Sequence, residues 1–302
     1  MLYAATLIAP PQAVFLPESV LSAALAPLRA KVVGRDMLGP MAVDLAIEAS
    51  DDALGDDALG ALRAAARSTL QHFPLDVCVQ PWEGRRKRLL ISDMDSTIVA
   101  CECIDELADF AGLKPQVAAI TERGMRGEID FETGLRERVA MLKGLPQSDI
   151  DRCIRERVTL NPGAEALVRT MAANGAECLL VSGGFTLFVD RVAADVGFHR
   201  SLSNVLEIED GKLTGRVVGP VFGSSQKLAT LKEAAAAKGI DLSQTLAVGD
   251  GANDLGMIEA AGLGVAYRAK PVVAERAAAR VDHTDLSSLL YFQGYRAEEF
   301  VS

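Results

Sequence analysis

Aromatic side chains are scarce in this chain: Phe, Trp and Tyr make up 5% of its 302 residues, with a single Trp. Stacking platforms for single-stranded nucleic acid need such rings in number. An excess of positive charge is also missing, since 31 Lys and Arg face 41 Asp and Glu for a net charge of -10. Phosphate-backbone binding draws its affinity from basic residues, so no nucleic-acid partner is expected. The five cysteines are odd in number and include no CxxC pair. That excludes a disulfide framework and leaves no zinc signature. Cys101 and Cys103 flank Glu102 but read as small helix positions rather than a redox pair. The expected setting is therefore reducing and cytoplasmic. Histidine is limited to His72, His199 and His283, none in a loop of catalytic pattern. Residues 1–20 are apolar, yet Pro10, Pro11 and Pro17 interrupt them and the first basic residue is Arg29. Neither a signal peptide nor a membrane span is expected, and no membrane partner.

What is present is ordinary for a globular chain, with 49% hydrophobic and 24% charged residues, and the length suits two domains. Residues 1–80 read as a small α+β unit. An apolar strand at 2–9 precedes a helix at 19–30 with Leu21, Leu25 and Leu28 on one face. A half-exposed strand at 41–48, an Ala-rich helix at 54–70 and a closing strand at 75–79 follow. The tandem DDALG at Asp51 and Asp56 is too short for a repeat architecture. This order resembles the ACT-like, ferredoxin-type domains, which implies a regulatory or packing module and a possible homodimer. Residues 81–88, with Arg85, Arg86, Lys87 and Arg88 in a row after Pro81 and Gly84, read as a solvated linker.

The rest of the chain is organised around residues 88–107. Leu89-Leu90-Ile91-Ser92 is a short apolar run with the character of a buried parallel strand. It runs straight into Asp93-Met94-Asp95-Ser96-Thr97, placing two carboxylates at the edge where open α/β sheets bind ligands. Paired acids in a tight loop repel unless a cation lies between them, and Mg²⁺ favours a few carboxylate oxygens plus a substrate phosphate. Taken alone, Asp and Ser also serve as turn and cap residues. Residues 102–158 form a helical run with no strand pattern, inserted where it can act as a cap over the strand ends. From residue 161 helices and strands alternate. A strand at 177–181 ends in Ser182-Gly183-Gly184 before a helix at 185–196, a candidate anion-binding turn. Asp210-Gly211 signals a hairpin, and Lys227 lies near the start of a helix at 225–238. A further apolar strand runs into Gly249-Asp250-Gly251-Ala252-Asn253-Asp254, then a helix, a strand at 264–267 and a helical C-terminal region.

In that order DMDST, SGG, a lone lysine and GDGAND resemble the four-motif pattern of the haloacid dehalogenase-type phosphohydrolases, from residue 88 to the C-terminus. The resemblance implies a doubly wound, parallel, Rossmann-like sheet at 89–302 with a helical cap inserted after its first strand. Within that family, DMDSTIVACECIDELADFAG, GMRGEIDFETGLRERV and VSGGF are similar to the phosphoserine phosphatases. That similarity implies a small-molecule substrate, phosphoserine, whose hydrolysis yields serine and phosphate as the last step of serine biosynthesis. Asp93 would be the nucleophile and Asp95 the general acid and base, with Ser182 and Lys227 completing the catalytic group. One Mg²⁺ would be held by Asp93, Asp95 through its carbonyl, Asp250 and Asp254. Ser182, Gly183, Lys227 and Asn253 would bind the phosphate. Glu102 would meet the ammonium, Arg138 the carboxylate, and Met125 and Phe131 would line the lid. By composition alone these last four are ordinary helix residues. A phosphotransferase acting on another small phosphorylated amino acid would keep every catalytic residue; a non-catalytic amino-acid sensor would have lost some of them.

Overall fold

A computed structural model describes residues 1–12, 18–49, 57–125 and 128–301. The expected doubly wound sheet is present. Strands β5 (Leu89–Ser92), β6 (Glu177–Phe185), β7 (Arg200–Glu209), β8 (Lys212–Val218), β9 (Thr245–Gly249), β10 (Leu263–Tyr267) and β11 (Ala279–Val281) form a seven-stranded sheet in the order β11-β10-β9-β5-β6-β7-β8. All neighbours are parallel except β7 and β8. The apolar run of β5 makes it a central strand buried on both faces. Leu90 packs into a cluster with Leu167 and Phe188, while Leu89 and Ile91 face Leu231 and Met257 on the other side. Burying each such side chain contributes about 1.5–3 kcal/mol. The chain leaves β5 toward β6 on one side and later returns as β9 on the other. The two strand tips therefore enclose the crevice where the strand order reverses.

The insertion after β5 consists of α3 (Cys103–Phe110), α4 (Lys114–Met125), α5 (Phe131–Met141) and α6 (Gln147–Arg157). Its return is stapled to the loop below. Asn161 donates its side-chain amide to the carbonyls of Thr97 (2.8 Å) and Val99 (3.2 Å). The expected hairpin forms, with Asp210 (φ 49°) and Gly211 (φ 74°) both in the left-handed region that a two-residue turn of this kind requires. It carries the cap: Gly144 donates to Leu213, and Gln147 to Gly211. Beyond the hairpin the main-sheet helices are α7 (Ala164–Ala173), α8 (Thr186–Val196), α9 (Ser224–Ala237), α10 (Leu255–Ala260), α11 (Pro271–Arg276) and α12 (Ser288–Phe292). The C-terminal region is not wholly helical, because the three-residue β11 adds an edge strand to the sheet.

At the N-terminus β1 (Leu2–Ile8), α1 (Glu18–Leu25), β2 (Lys31–Gly39), β3 (Ala42–Glu48), α2 (Ala58–Leu70) and β4 (Asp76–Pro81) give an antiparallel sheet in the order β2-β3-β1-β4. This is a ferredoxin-type βαββαβ arrangement. It contains a strand, β2, that the residue pattern did not suggest. The tandem DDALG and the start of the expected 54–70 helix lie largely outside the described residues. One face of the sheet packs on α1 and α2 through Leu7, Leu21, Leu45 and Leu62. The other contributes Ile8, Leu38, Ala42 and Cys78 to the same buried cluster as Leu90 and Phe292.

That shared core corrects two sequence expectations. β3 is not half exposed: only its last residue, Glu48, is exposed, while Asp44 in its middle is 1% exposed, accepts a bond from Thr6 (2.6 Å) and pairs with Arg85 (2.5 Å). Nor is the basic stretch a solvated linker. Arg86 lies over the Tyr295 ring and pairs with Glu299, and buried Lys87 donates to the carbonyls of Gly84 and Ser243. The arginine and lysine stems cover apolar surface while their charged ends find acceptors. Asp76 gathers several donors across the seam. It accepts the backbone N–H groups of Asp282 (2.8 Å) and Thr284 (2.9 Å), with His283 N–H and the Thr284 hydroxyl beside them. Removing that acceptor leaves several part-buried donors unpaired. Asp76→Ala is therefore expected to lower the unfolding free energy by about 2–3 kcal/mol. A lower urea midpoint at unchanged slope is the expected result; an unchanged midpoint would show that the seam does not depend on this carboxylate.

Candidate active site

Asp93 follows β5 directly, and its N–H continues the sheet ladder by donating to the carbonyl of Val248 on β9. This places its carboxylate at the crevice, 4% exposed. Carboxylate oxygens of Asp93, Asp250 and Asp254 lie within 4.8 Å of one another. Lys227, from the first turn of α9, enters from below. Its Nζ donates to Asp93 Oδ1 (2.5 Å) and Asp254 Oδ1 (2.7 Å) and has no solvent exposure. Burial alone would lower the pKa of this ammonium, but the two carboxylates outweigh it and hold the group charged.

Three acids around one ammonium leave surplus negative charge. Burial first, then the charge of Asp93, pushes Asp250 up to about 6 and Asp254 up to about 7. Oxygen ligands this close, short of positive charge, suit a hard divalent cation. The three do not offer it the same access. Asp254 is committed on both oxygens, to Lys227 and to the N–H of Gly251 (3.1 Å), whereas Asp93 has one oxygen committed to Lys227. Gly249 is what lets Asp254 approach: a Cβ there would lie 2.5 Å from its carboxyl carbon.

Asp95 points elsewhere and is not part of the acidic cluster. Its Oδ1 accepts the N–H of Cys103 (2.8 Å), and Oδ2 the hydroxyl of Ser182 (3.0 Å). Burial, then the charges of Glu102 and Asp93, push its carboxyl up to about 7. A group held there can give and take a proton near neutral pH. The turn needed to aim it puts Ser96 at φ 57°, a conformation that costs a non-glycine residue about 1–2 kcal/mol. Ser96 in turn donates its hydroxyl to Glu102 (2.7 Å), at the start of α3. The SGG stretch differs from expectation: it stays extended within β6, and α8 begins only at Thr186. Ser182 is engaged with Asp95 and takes the N–H of Gly184 (2.8 Å).

Above these groups is a cavity of ≈ 440 Å³, lined from below by Asp93, Asp95, Gly183, Asp250 and Asn253, and from the cap by Glu102, Phe131 and Arg138. Arg138 donates Nε to Gly134 within α5 and has no carboxylate within 4.0 Å among the described residues. Burial lowers its pKa, while Asp105 and Glu102 oppose that shift. Phe131 is 46% exposed and lies across the two glycines of the opposite wall: a Cβ on Gly183 would be 3.0 Å from its ring, and one on Gly223 would be 3.4 Å away. Met125 ends α4, and its side chain lies outside the described residues.

The motifs did not reveal three contributors. Asn161 ties down the loop after β5. Asn204 donates to the carbonyls of Gly183 (2.9 Å) and Phe222 (3.1 Å) and accepts the N–H of Phe222 (2.7 Å), fixing the SGG strand against the entry to α9. Lys270 lines the cavity, and its N–H donates to the carbonyl of Asp250 (3.0 Å). Asn161 and Lys270 lie in connecting segments and Asn204 within β7, each a single polar residue outside the motifs.

Comparison with known proteins fits this geometry. Residues 90–259 match the model of the haloacid dehalogenase-like hydrolases. The chain belongs to that family. It is 49% identical to a phosphoserine phosphatase of Polaromonas sp., covering 67% of this chain and 88% of that protein. It is 43% identical to the phosphoserine phosphatase of Archaeoglobus fulgidus over 78% of this chain and 69% of the relative. The match to the Streptomyces coelicolor phosphoserine phosphatase, at 47% identity, spans only 58% of that longer protein. Among solved structures, a HAD-family hydrolase from Salmonella enterica serovar Typhi superposes with a TM-score of 0.81 at 28% identity, over 96% of this chain and 98% of that one. A phospho-aspartyl intermediate analogue of a phosphoserine phosphatase gives 0.63 at 40% identity, over 68% and 99%.

Within this haloacid dehalogenase-like hydrolase the two close-approach glycines give a paired test. Gly249→Ala drives a methyl group into Asp254 and is expected to abolish turnover and destabilise the fold. Gly183→Ala meets only the movable Phe131 ring, so it is expected to lower kcat/KM about tenfold through a displaced lid while Tm stays near the parent value. A Gly183→Ala enzyme with unaltered kcat/KM would show that the ring contact has no part in closing the site.

Proposed function

We propose that this chain hydrolyses O-phospho-L-serine to L-serine and phosphate through a phosphoaspartyl intermediate on Asp93, the last step of serine biosynthesis. The observation that carries the reading is the division of labour between Asp93 and Asp95. The first accepts a bond from Lys227 Nζ (2.5 Å) at the tip of β5, and the second is raised to about 7 by burial beside the same cavity. Relatives at 43–49% identity named phosphoserine phosphatase support the substrate. In the first half-reaction an oxygen of Asp93 attacks phosphorus while the bond to the serine oxygen breaks, and Asp95 gives that oxygen its proton. In the second, water attacks phosphorus as Asp95 takes its proton back, and the bond to Asp93 breaks, releasing phosphate and restoring the carboxylate. Lys227 would offset phosphoryl charge, and Ser182, the Gly183 N–H and Asn253 would hold the phosphate oxygens.

Magnesium is the cation we assign to the acidic cluster, held by Asp93, Asp250 and the Asp95 carbonyl with Asp254 behind, where it would neutralise charge on the transferring group. The five unpaired thiols suit a reducing, cytoplasmic setting. Residues 1–80, 81–88 and 89–302 are our working division of the chain, with homodimer pairing assigned to the first.

Phosphate release should stop in Asp93→Asn and on removal of divalent cation with a chelator, with restoration by Mg²⁺. Substrate choice rests on Glu102 for the ammonium and Arg138 for the carboxylate. An unpaired charge left in a closed site costs roughly 2–5 kcal/mol. Arg138→Ala should therefore depress kcat/KM for phosphoserine far more than for a simple alkyl phosphate. Equal losses on both substrates would remove the zwitterion clamp and leave a phosphatase of other specificity. Adding competing amino-acid hydroxyl acceptors separates a hydrolase from a phosphotransferase, since only the latter would divert phosphate from water.

A further inference from the structure

Away from the catalytic crevice, a second cavity lies at the seam between α2 and the end of the main sheet. Its inner part, ≈ 60 Å³, is lined by Arg63, Arg67, Gln71, Arg280 and His283. Arg63, Arg67 and Gln71 also line a wider groove of ≈ 740 Å³ that leads outward past Gly262 and Arg276. Neither shares a residue with the cavity above Asp93.

Three guanidinium groups meet here in a chain of net charge -10, and they are poorly neutralised. Arg63 donates Nε to the carbonyl of Val79 (2.9 Å), and Arg67 donates to the carbonyls of Glu275 (3.2 Å) and Ala277 (3.0 Å). No carboxylate lies within 4.0 Å of either among the described residues. Arg280 has a loose pair with Asp282 at 3.7 Å. Asp76, the other acid of the inner lining, is bonded to the N–H groups of residues 282–284, and Glu259 of the outer groove pairs with Arg276. Burial lowers the pKa of Arg67 first, and the neighbouring charges of Arg280 and Arg63 lower it further. Part-buried like charges at a seam are costly unless an anion joins them. The guanidinium fork is the donor best matched to a planar or tetrahedral oxyanion.

We propose that this seam pocket binds a small molecule carrying a phosphate or carboxylate group, with its anionic head against Arg63, Arg67 and Arg280 and its remainder in the outer groove. The site is independent of the reaction assigned above. Its occupant would join α2 to β11, beside the end of α11 that Arg67 holds through the carbonyls of Glu275 and Ala277; Lys270, which precedes α11, lines the catalytic cavity.

The test is titration calorimetry on the full chain without divalent cation, using inorganic phosphate in one arm and citrate in the other. The expected result is binding of at least one of the two, weakened about tenfold or more in Arg280→Gln and in Arg63→Gln and unaltered in Arg191→Gln, an exposed site elsewhere. Binding of phosphate alone or citrate alone identifies the head group. Among the described residues the Arg280 side chain makes only its loose pair with Asp282, so its variant is expected to retain the fold, as circular dichroism would verify. Absence of binding by both anions, equal affinity in all variants, or an equal loss in Arg191→Gln would overturn the proposal.

Discussion

An ammonium with no access to water, shared by Asp93 and Asp254, is the constraint on which the rest of the site depends. Two carboxylates from separate strand tips cannot be buried at this distance without it. Satisfying it fixes much else. Helix α9 must begin where its first turn delivers Lys227, and Gly249 must lack a side chain so that Asp254 can reach in. The third acid, Asp250, leaves the cluster still negative, and that residual charge suits a hard cation.

The second dependence is between the loop after β5 and the cap. Asp95 is aimed by a left-handed Ser96, whose hydroxyl reaches Glu102 at the first turn of the insertion. Asn161 closes the loop from the other end of the insertion. The Asp95 loop and both ends of the cap insertion are thus anchored to one short segment of backbone. The Phe131 ring completes the enclosure by occupying space that two glycines leave open.

Much of this could be read from the residues, because the chemistry concentrates in short motifs at strand ends. An apolar run terminating in DMDST announces both a buried strand and its acidic tip, and NG- or DG-type turns have one dominant backbone solution. The failures have physical causes. β2 is an edge strand, mostly exposed and bearing Gly34 and Asp36, so it shows little apolar pattern. β11 is three residues long. Asp44 and the run from Arg85 to Lys87 look like surface residues, yet they are paired across a seam between segments far apart in sequence. Asn161, Asn204 and Lys270 act through backbone groups that no local spacing encodes. SGG suggests a strand-to-helix turn yet stays extended within β6, because glycines permit a turn without requiring one.

The central claim is covalent: Asp93 carries the phosphoryl group. The most direct measurement is to mix enzyme with O-phospho-L-serine and Mg²⁺, quench in acid during turnover, reduce with borohydride and map the peptides by mass spectrometry. The account requires residue 93 to appear as homoserine, the reduction product of an aspartyl phosphate, in proportion to the trapped intermediate. Homoserine at another aspartate, or none at all while phosphate is being released, would contradict it.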